Sequence, residues 1–223
     1  MKEMTATGSD RRTTLTRRRV LETAIDLADR DGIESVSMRR LGLELGVEAM
    51  SLYTHVRSKD DLLDGMVDTV MGRVVVSRSR GGWKMQMRRT VLASRDVLLR
   101  HPWAPAIIET RAAPGPAILR HYDTVIGILR GGGLSLELTH HALHLLGSRM
   151  LGFTRDLFDD SSEVDPEATR ALAEQLGATH PHVAELALAT THEGGLGGCD
   201  TDVEFVFALD AILDGLERLK GAR

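Results

Sequence analysis

The stretch that decides the fold is SMRRLGLELGVEAMSLYTHVRSKDD, residues 37–61. It predicts a short helix capped by the Ser37 hydroxyl. Apolar side chains recur at helical spacing along one face of this helix, at Met38, Leu41 and Leu45. Gly46 suits the turn that follows, because a residue without Cβ adopts positive φ at no steric cost. Two short helices joined by such a turn are the layout of a helix-turn-helix DNA reader.

The second helix of this pair is predicted from about residue 47 or 48 to residue 55. Leu52 and Val56, four residues apart, hold it against the first helix. The remaining side chains then point mostly outward, as a helix that enters a DNA major groove requires. These outward residues are Ala49, Met50, Ser51, Tyr53, Thr54 and His55.

Helices are also predicted on both sides of this pair. One runs from a Thr16 cap to near Gly32 and buries Val20, Leu21, Ala24, Ile25, Leu27 and Ala28. The other begins after Ser58, and Asp61, three positions later, makes the start resemble a capping box. Its apolar stripe consists of Leu62, Leu63, Met66, Val67, Val70, Met71 and Val74. The pattern therefore predicts an all-α N-terminal region.

Within this region the run LGVxxxxLYxHVxxKxxLL resembles the signature of the tetracycline-repressor (TetR) family of bacterial one-component regulators. It is particularly similar to the tetracycline-repressor subgroup. The tyrosine, histidine and lysine of the run are Tyr53, His55 and Lys59, and Gly46 lies seven residues before the tyrosine. This combination of residues and spacing is specific, and it seldom occurs by chance.

The resemblance implies an all-α fold in two domains. A three-helix helix-turn-helix DNA-binding domain is expected over residues 16–71, and a larger helical ligand-binding and dimerisation domain over residues 72–223. Residues 1–15 are predicted to form a flexible basic arm that can lie along phosphates. The first 59 residues hold 11 Lys and Arg against 9 Asp and Glu, although the whole chain has a net charge of −4. The basic excess is thus at the end expected to bind DNA.

The resemblance also implies which side chains contact DNA. Arg39 matches an arginine that reads guanine in the subgroup, and its guanidinium fork suits the O6/N7 pair of that base. Tyr53, His55 and Lys59 match residues that position the reader on phosphates. The alternative roles for these residues are a half-buried packing residue for Tyr53 and a helix C-cap for His55. The complete set of DNA-binding candidates is Arg17, Arg18, Ser37, Arg39, Ala49, Met50, Ser51, Tyr53, Thr54, His55 and Lys59.

The base-reading surface departs from that of the subgroup. Ala49, Met50 and Ser51 stand where the subgroup has Gln, Pro and Thr, so a different operator is expected. Arg17 and Arg18 are candidates for phosphate contacts, because in the family the start of this helix approaches the DNA backbone.

Beyond residue 71 the sequence predicts further helices over residues 83–100, 117–130, about 135–158 and 202–220. In the family the last two helices pair with their two-fold mates in a four-helix bundle. A homodimer through residues 135–158 and 202–220 is therefore implied, and helices of an intrachain core are the alternative. A dimer also suits a palindromic operator in double-stranded DNA.

The family places a ligand pocket among these helices. The tetracycline repressor binds a magnesium–drug chelate with a histidine shortly before a Gly-Thr-Arg turn. The run IIETR, residues 107–111, keeps the Thr and Arg but lacks the histidine, which argues against that ligand. A small apolar or aromatic effector is expected instead. The candidate ligand contacts are His101, Trp103, Glu109, Arg111, His121, His144, Met150 and Phe153.

Other chemistries find little support in the sequence. His140 and His144, one helical turn apart, could share a zinc ion, but no nearby Cys or carboxylate completes the set, so no metal and no cofactor are predicted. No nucleophile elbow, nucleotide loop or paired-carboxylate motif indicates an enzyme. No apolar run approaches the roughly 18 residues that span a membrane, so we expect a cytoplasmic protein that is nucleoid-associated when bound to DNA.

Two functions from different classes follow. The favoured one is a homodimeric repressor whose effector favours a spacing of the reading heads that cannot fit DNA. The alternative is a helical small-molecule-binding protein or enzyme with an unused DNA-binding head. Salt-dependent and sequence-specific DNA binding separates the two.

Overall fold

The computed structural model describes residues 14–75, 81–111, 113–152, 167, 171, 174–189 and 201–221. These residues form helices and contain no strand, so the predicted all-α class is confirmed. The helices are α1 Arg17–Asp31, α2 Met38–Leu45, α3 Ala49–Leu52, α4 Lys59–Met71, α5 Trp83–Arg100, α6 Ala104–Thr110, α7 Pro116–Gly131, α8 Leu136–Gly152, α9 Pro181–Ala189 and α10 Thr201–Lys220.

The described residues divide into two compact units. The first comprises those up to Val75 together with Asp96–His121, and the second comprises those of Val76–Arg95 and Tyr122–Arg223. Helices α5 and α7 each contribute residues to both units. The first unit thus contains, besides the region 16–71 predicted to bind DNA, the whole of α6.

Short-range hydrogen bonds set the helix boundaries of the first unit. Thr16, Ser37 and Ser58 each accept a hydrogen bond from the backbone amide three residues later, at 3.2, 3.2 and 3.0 Å. Gly32 and Gly46 end α1 and α2 with φ of 82° and 67°, a region that favours glycine. The predicted caps and the predicted glycine turn are confirmed.

The core of the first unit is built on α1 and α4. The side chains that the sequence placed on the inner face of α1 are all buried. Those predicted for α4 are buried as far as Met71, whereas Val74 lies beyond the helix and is half-buried. A Cβ added at Gly65 of α4 would lie 2.7 Å from Leu21 Cδ2, so the two helices approach closely at this glycine.

The end of one helix and the existence of another differ from the prediction. Helix α3 ends at Leu52 instead of His55, because the chain tightens into turns in which Tyr53 N donates to Met50 O and His55 N to Leu52 O. Helix α6 was not predicted, because in the sequence His101-Pro102 indicates only the end of α5. Its first turn contains a proline, which suits a helix start because that position needs no amide donor.

The second unit has its own apolar core, drawn from α5, α7, α8 and α10. Its fully or almost fully buried members include Met87, Leu129, Leu134, Leu209 and Leu216. Three ion pairs run along α5 and α10, with N–O distances of 2.5, 2.8 and 2.6 Å: Lys84–Asp214, Arg88–Asp210 and Arg95–Asp202.

Long helices were predicted for both α8 and α10. Helix α10 begins and ends within one residue of the prediction, and α8 is described as far as Gly152. Residues 153–158, the rest of the predicted long helix, lie outside the described residues, as do residues 1–13 of the predicted basic arm. Within the described part of the chain, no helix has the length and apolar character needed to cross a membrane.

Candidate nucleic-acid interface

The reading helix α3 is held directly on the backbone of α2. A Cβ added at Gly42 would lie 2.8 Å from Val47 O and 3.2 Å from Ala49 N, so glycine permits this close approach. Leu52 of α3 has no exposed surface and anchors the helix in the core. The packing therefore fixes one side of α3 and leaves the opposite side outward.

Helix α3 and the turn that follows it carry six of the eleven residues predicted to contact DNA. Met50 is 74% exposed and Tyr53 is 44% exposed. Ser51 and Thr54 are also exposed, and the Thr54 hydroxyl donates to Ser51 O at 2.7 Å. Ala49 and His55 are half-buried. The surface is thus short and combines apolar, hydroxyl and aromatic groups, which suits contact with base edges and phosphates.

Helix α2 adds two exposed side chains to this surface. Arg39, the predicted guanine reader, is exposed. Leu43 lies one turn later on the same helix and is 71% exposed. Leu43 was not predicted as a contact, although its position four residues after Arg39 places it on the same helical face. Apolar side chains of this kind contact the methyl group of thymine.

The start of α4 presents a cation at a helix N-terminus. Lys59 is the first residue of α4 and is exposed. Asp61 does not complete a capping box, because its carboxylate accepts from the amide of Arg57 at 2.8 Å instead of from the amide of Ser58. The resemblance to a capping box was therefore wrong in its second hydrogen bond.

Arg17 and Arg18 have different surroundings. Arg18 is exposed. The guanidinium of Arg17 donates to both carboxylate oxygens of Asp61, at 2.8 and 3.0 Å, and to His55 O at 2.8 Å. This hydrogen bond from Arg17, followed by that from the Arg57 amide, lowers the pKa of Asp61 below its usual range. The predicted phosphate contact of Arg17 thus competes with bonds inside the protein.

Two of the predicted ligand contacts, both buried, meet in a partly buried hydrogen-bond network of the first unit. His101 and Trp103 are 7% and 6% exposed. Both bind Asp29 of α1: His101 Nδ1 lies 2.9 Å from each carboxylate oxygen, and Trp103 Nε1 donates at 2.7 Å. Arg73 lies 3.1 Å from His101 Nε2. Because a guanidinium only donates, Nε2 accepts and Nδ1 carries the proton that Asp29 binds.

Two further ligand candidates lie near the end of α6. Arg111 forms ion pairs with Asp60 and Asp64 of α4, at 3.2 and 3.3 Å, and its side chain is 20% exposed. Glu109 is exposed. The structure therefore places Arg111 against α4, where it links α6 to a helix of the DNA-binding head.

The remaining described ligand candidates lie on α7 and α8. His121 is half-buried, and burial lowers its pKa below the usual range of a histidine. His144 is exposed on α8, with its ring centroid 4.6 Å from that of His140. Met150 is half-buried, and Phe153 lies outside the described residues.

The second unit contains a cavity of about 400 Å³ near the ends of α7 and α10 and the start of α8. Its lining includes Arg130, Leu138, His141 and Lys220, and none of the described ligand candidates. Among the described residues, no group of three His, Cys, Asp or Glu side chains is arranged to hold a metal ion.

Comparison with known proteins identifies the family of the chain. The model of the tetracyclin repressor-like C-terminal domain matches residues 77–219, and that of the bacterial regulatory proteins of the tetR family matches residues 20–66. The chain belongs to the TetR family of transcriptional regulators. This TetR-family chain is 32% identical to the HTH-type transcriptional repressor DrrR1 of Streptomyces coeruleorubidus, over 94% of this chain and 80% of DrrR1.

Solved structures of a TetR-family protein from Streptomyces coelicolor are also similar to it. ActR in complex with (S)-DNPA has a TM-score of 0.75 and 30% identity, covering 93% of this chain and 98% of ActR. ActR in complex with actinorhodin has a TM-score of 0.72 and 30% identity, covering 92% and 96%. The TetR-family protein described here is accordingly a DNA-binding, ligand-responsive transcriptional repressor.

Proposed function

We propose that this repressor is a homodimer that binds a palindromic operator in double-stranded DNA and releases it when a small apolar or aromatic effector binds. The observation that carries the proposal is the outward face of α2 and α3. Arg39, Met50 and Tyr53 are exposed there, while Gly42 and Leu52 fix the opposite face in the core. Lys59 at the start of α4 supplies a phosphate contact beside this face. The protein acts in the cytoplasm and at the nucleoid when bound to DNA.

Dimer formation is supported by exposed apolar side chains on α10. Val203 and Phe207, one helical turn apart, are 59% and 70% exposed, and Leu219 near the end of the helix is 57% exposed. On α8, which packs against α10, Leu136 and Leu145 are 72% and 50% exposed. Two copies of the chain that pair through α8 and α10 bury the apolar side chains on the paired faces, and exposed apolar side chains of this kind mark interfaces.

The effector acts on the head through the contacts of α6. His101 and Trp103 flank the start of α6 and bind Asp29 of α1, while Arg111 at its end binds α4. An effector that moves α6 therefore changes the restraint on two helices of the DNA-binding head. It releases DNA only if it binds the released arrangement more tightly than the DNA-bound one.

The operator is tested by selecting bound sequences from random duplex DNA at near-physiological salt with the purified protein. We expect a palindrome whose half-sites lie about one helical turn apart, roughly 34–36 Å. Recovery of sequences without two-fold symmetry contradicts the dimeric reader, and recovery of nothing above background favours an unused head.

The effector class is tested by release of the selected duplex. ActR is crystallised with (S)-DNPA and with actinorhodin, so these two compounds are the first probes. The matched control is tetracycline with magnesium, which should not release the duplex because residues 107–111 lack the histidine of the tetracycline repressor. Release by magnesium–tetracycline contradicts the proposed effector class.

A further inference from the structure

Arg17 occupies the junction of three segments of the DNA-binding head. Its NH1 donates to His55 O at 2.8 Å and to Asp61 Oδ2 at 3.0 Å, and its NH2 donates to Asp61 Oδ1 at 2.8 Å and to Asp61 O at 3.3 Å. The guanidinium thereby joins α1, the turn after α3 and the first turn of α4. The residues it joins are 38 and 44 positions away in the sequence.

The packing around this junction accommodates the planar guanidinium. A Cβ added at Gly65 would lie 3.0 Å from Arg17 NH2, so the glycine leaves room for the side chain to reach Asp61. The Asp61 side chain is 17% exposed, and it also accepts the amide of Arg57 at 2.8 Å. One carboxylate therefore fixes both the arginine and the backbone that leads from α3 to α4. A bidentate arginine–carboxylate pair of this kind fixes the relative orientation of the two groups in addition to attracting them.

The segment fixed in this way carries the phosphate-contact candidates of the reader. Tyr53 and His55 follow α3, and Lys59 begins α4. Helix α3 has only four residues and no side-chain hydrogen bond at its N-cap, so its own hydrogen bonds restrain it little. The bond from Arg17 to His55 O restrains the end of the reading segment where the helix has already given way to turns.

We infer that Arg17 and Asp61 are positioning residues of the DNA reader, which hold the segment from α3 to α4 in the arrangement that fits an operator. The inference rests on the proposed operator binding. It replaces a direct phosphate contact as the role of Arg17, because the guanidinium already neutralises a carboxylate and caps a backbone carbonyl. Arg18, which is exposed at the next position, retains the role of phosphate contact.

The two roles make opposite predictions for conservative variants. Lysine keeps the positive charge that a phosphate needs but lacks the planar fork that joins Asp61 to His55 O. Removal of the negative charge of Asp61 strengthens DNA binding if Arg17 contacts a phosphate. It weakens DNA binding if Arg17 is a positioning residue, because the junction with Asp61 is lost. The variants Arg17→Lys and Asp61→Asn therefore distinguish positioning from phosphate contact, and Arg18→Ala is the matched control.

The measurement is fluorescence anisotropy at several salt concentrations, with the duplex selected by the wild-type protein and a scrambled duplex of equal length. Arg17→Ala, Arg17→Lys and Asp61→Asn should each lose roughly tenfold in affinity for the selected duplex and little for the scrambled one, with an unchanged salt slope. Arg18→Ala should weaken both duplexes and reduce the slope by about 0.9. Wild-type affinity of Arg17→Lys, or a reduction of the slope by about 0.9 in Arg17→Ala, overturns the inference.

Hydrogen exchange of the protein without DNA gives a second, independent result. The amides of residues 53–57 should exchange faster in Arg17→Lys and Asp61→Asn than in the wild type and in Arg18→Ala. Equal exchange in all four proteins overturns the inference. If the wild type selects no duplex, the proposed operator binding fails, whereas the exchange result still decides whether Arg17 and Asp61 restrain the reading segment.

Discussion

Helices α1–α4 and the pair α8 and α10 differ in what they leave on the surface. The first group buries its apolar stripes and exposes large apolar side chains on the reading helices, at Leu43 and Met50. Helices α8 and α10 pack against each other and still expose large apolar residues, which among those with described burial are Leu136, Leu145, Val203, Phe207 and Leu219. The DNA-binding head therefore completes its core within one chain, whereas α8 and α10 carry more apolar surface than their own core uses.

This difference shows two ways in which helices acquire a function. In the head, glycines and capped helix starts bring backbones close together, so geometry is fixed locally and the outward face of α2 and α3 is left for the proposed DNA contacts. On α8 and α10, the exposed apolar side chains stabilise the protein only when another surface buries them, by roughly 25 cal/mol per Å² buried. Substitutions in the two regions should consequently affect different measurements.

The largest effect is expected from Phe207→Arg, which places a charge in the proposed dimer interface. The dimer dissociation constant should rise at least roughly 100-fold, about 3 kcal/mol, since both copies carry the change. Sedimentation velocity over a concentration series measures it. Val183→Arg on α9, where the wild-type side chain is 54% exposed, is the control and should leave the association unchanged. A Phe207→Arg protein that associates like the wild type contradicts the proposal that the exposed apolar side chains of α8 and α10 form a dimer interface.

The next effect is expected from Gly42→Ala, which tests the close packing of the head. The added Cβ meets backbone atoms of residues 47 and 49, which cannot swing away, so unfolding should become easier by about 1–3 kcal/mol and operator binding should be lost. Urea unfolding at fixed protein concentration measures the first effect and anisotropy the second.

The control for this change is Gly127→Ala in α7. A Cβ there meets nothing within 4 Å, so alanine should stabilise the helix by about 1 kcal/mol. If both alanines stabilise the protein, α2 and α3 tolerate a wider separation than the structure indicates.

Arg39→Ala tests whether the exposed face of the head reads bases. We expect the binding free energy that distinguishes the correct base from the others to fall by about 1–3 kcal/mol, at one base pair of each half-site. Binding to a panel of operators with single substitutions measures it. Lys59→Ala is the comparison, because loss of a phosphate contact weakens all duplexes alike and reduces the salt slope by about 0.9. An Arg39→Ala protein that keeps its full base preference would show that other residues read the operator.

The smallest effect is expected from a matched pair of tryptophan substitutions, one in each unit. Trp103→Phe removes the donor to Asp29, whose side chain is 29% exposed, and should cost about 1 kcal/mol. Trp83→Phe removes the donor to Glu217, whose side chain is 41% exposed, and should cost less because water replaces the bond. Urea unfolding of the two variants compares them, and a larger loss for Trp83→Phe contradicts the ranking.

Much of the head was predictable because its signals are local. A cap hydroxyl bonds an amide three residues away, and Gly46 takes positive φ within its own residue, so Thr16, Ser37, Ser58 and Gly46 were identified correctly. The end of α3 was less predictable, since the residues after Leu52 have no strong helix-stopping signal. The DNA-contact residues followed from the family resemblance and stay predictions.

The sites that were not predictable depend on partners far apart in the chain. Asp29 and His101 are 72 residues apart, and Arg17 and Asp61 are 44 residues apart, so no spacing or periodicity connects them. His101 and Trp103 looked like pocket residues because they are aromatic side chains in the expected segment. Their contacts with Asp29 exist only because α1 and the start of α6 pack together in the first unit.

Periodicity, helix caps and the LGVxxxxLYxHVxxKxxLL run were sufficient to establish an all-α chain with a helix-turn-helix head, because those features act over one or two helical turns. Only the tertiary structure showed that Arg17 binds Asp61 and that Gly42 packs against the backbone at the start of α3. It also left Phe207 outside the core of its own unit. These outcomes depend on which helix faces pack together. The packing minimises the water-exposed apolar surface of many residues that are distant in the sequence, so no single segment determines it.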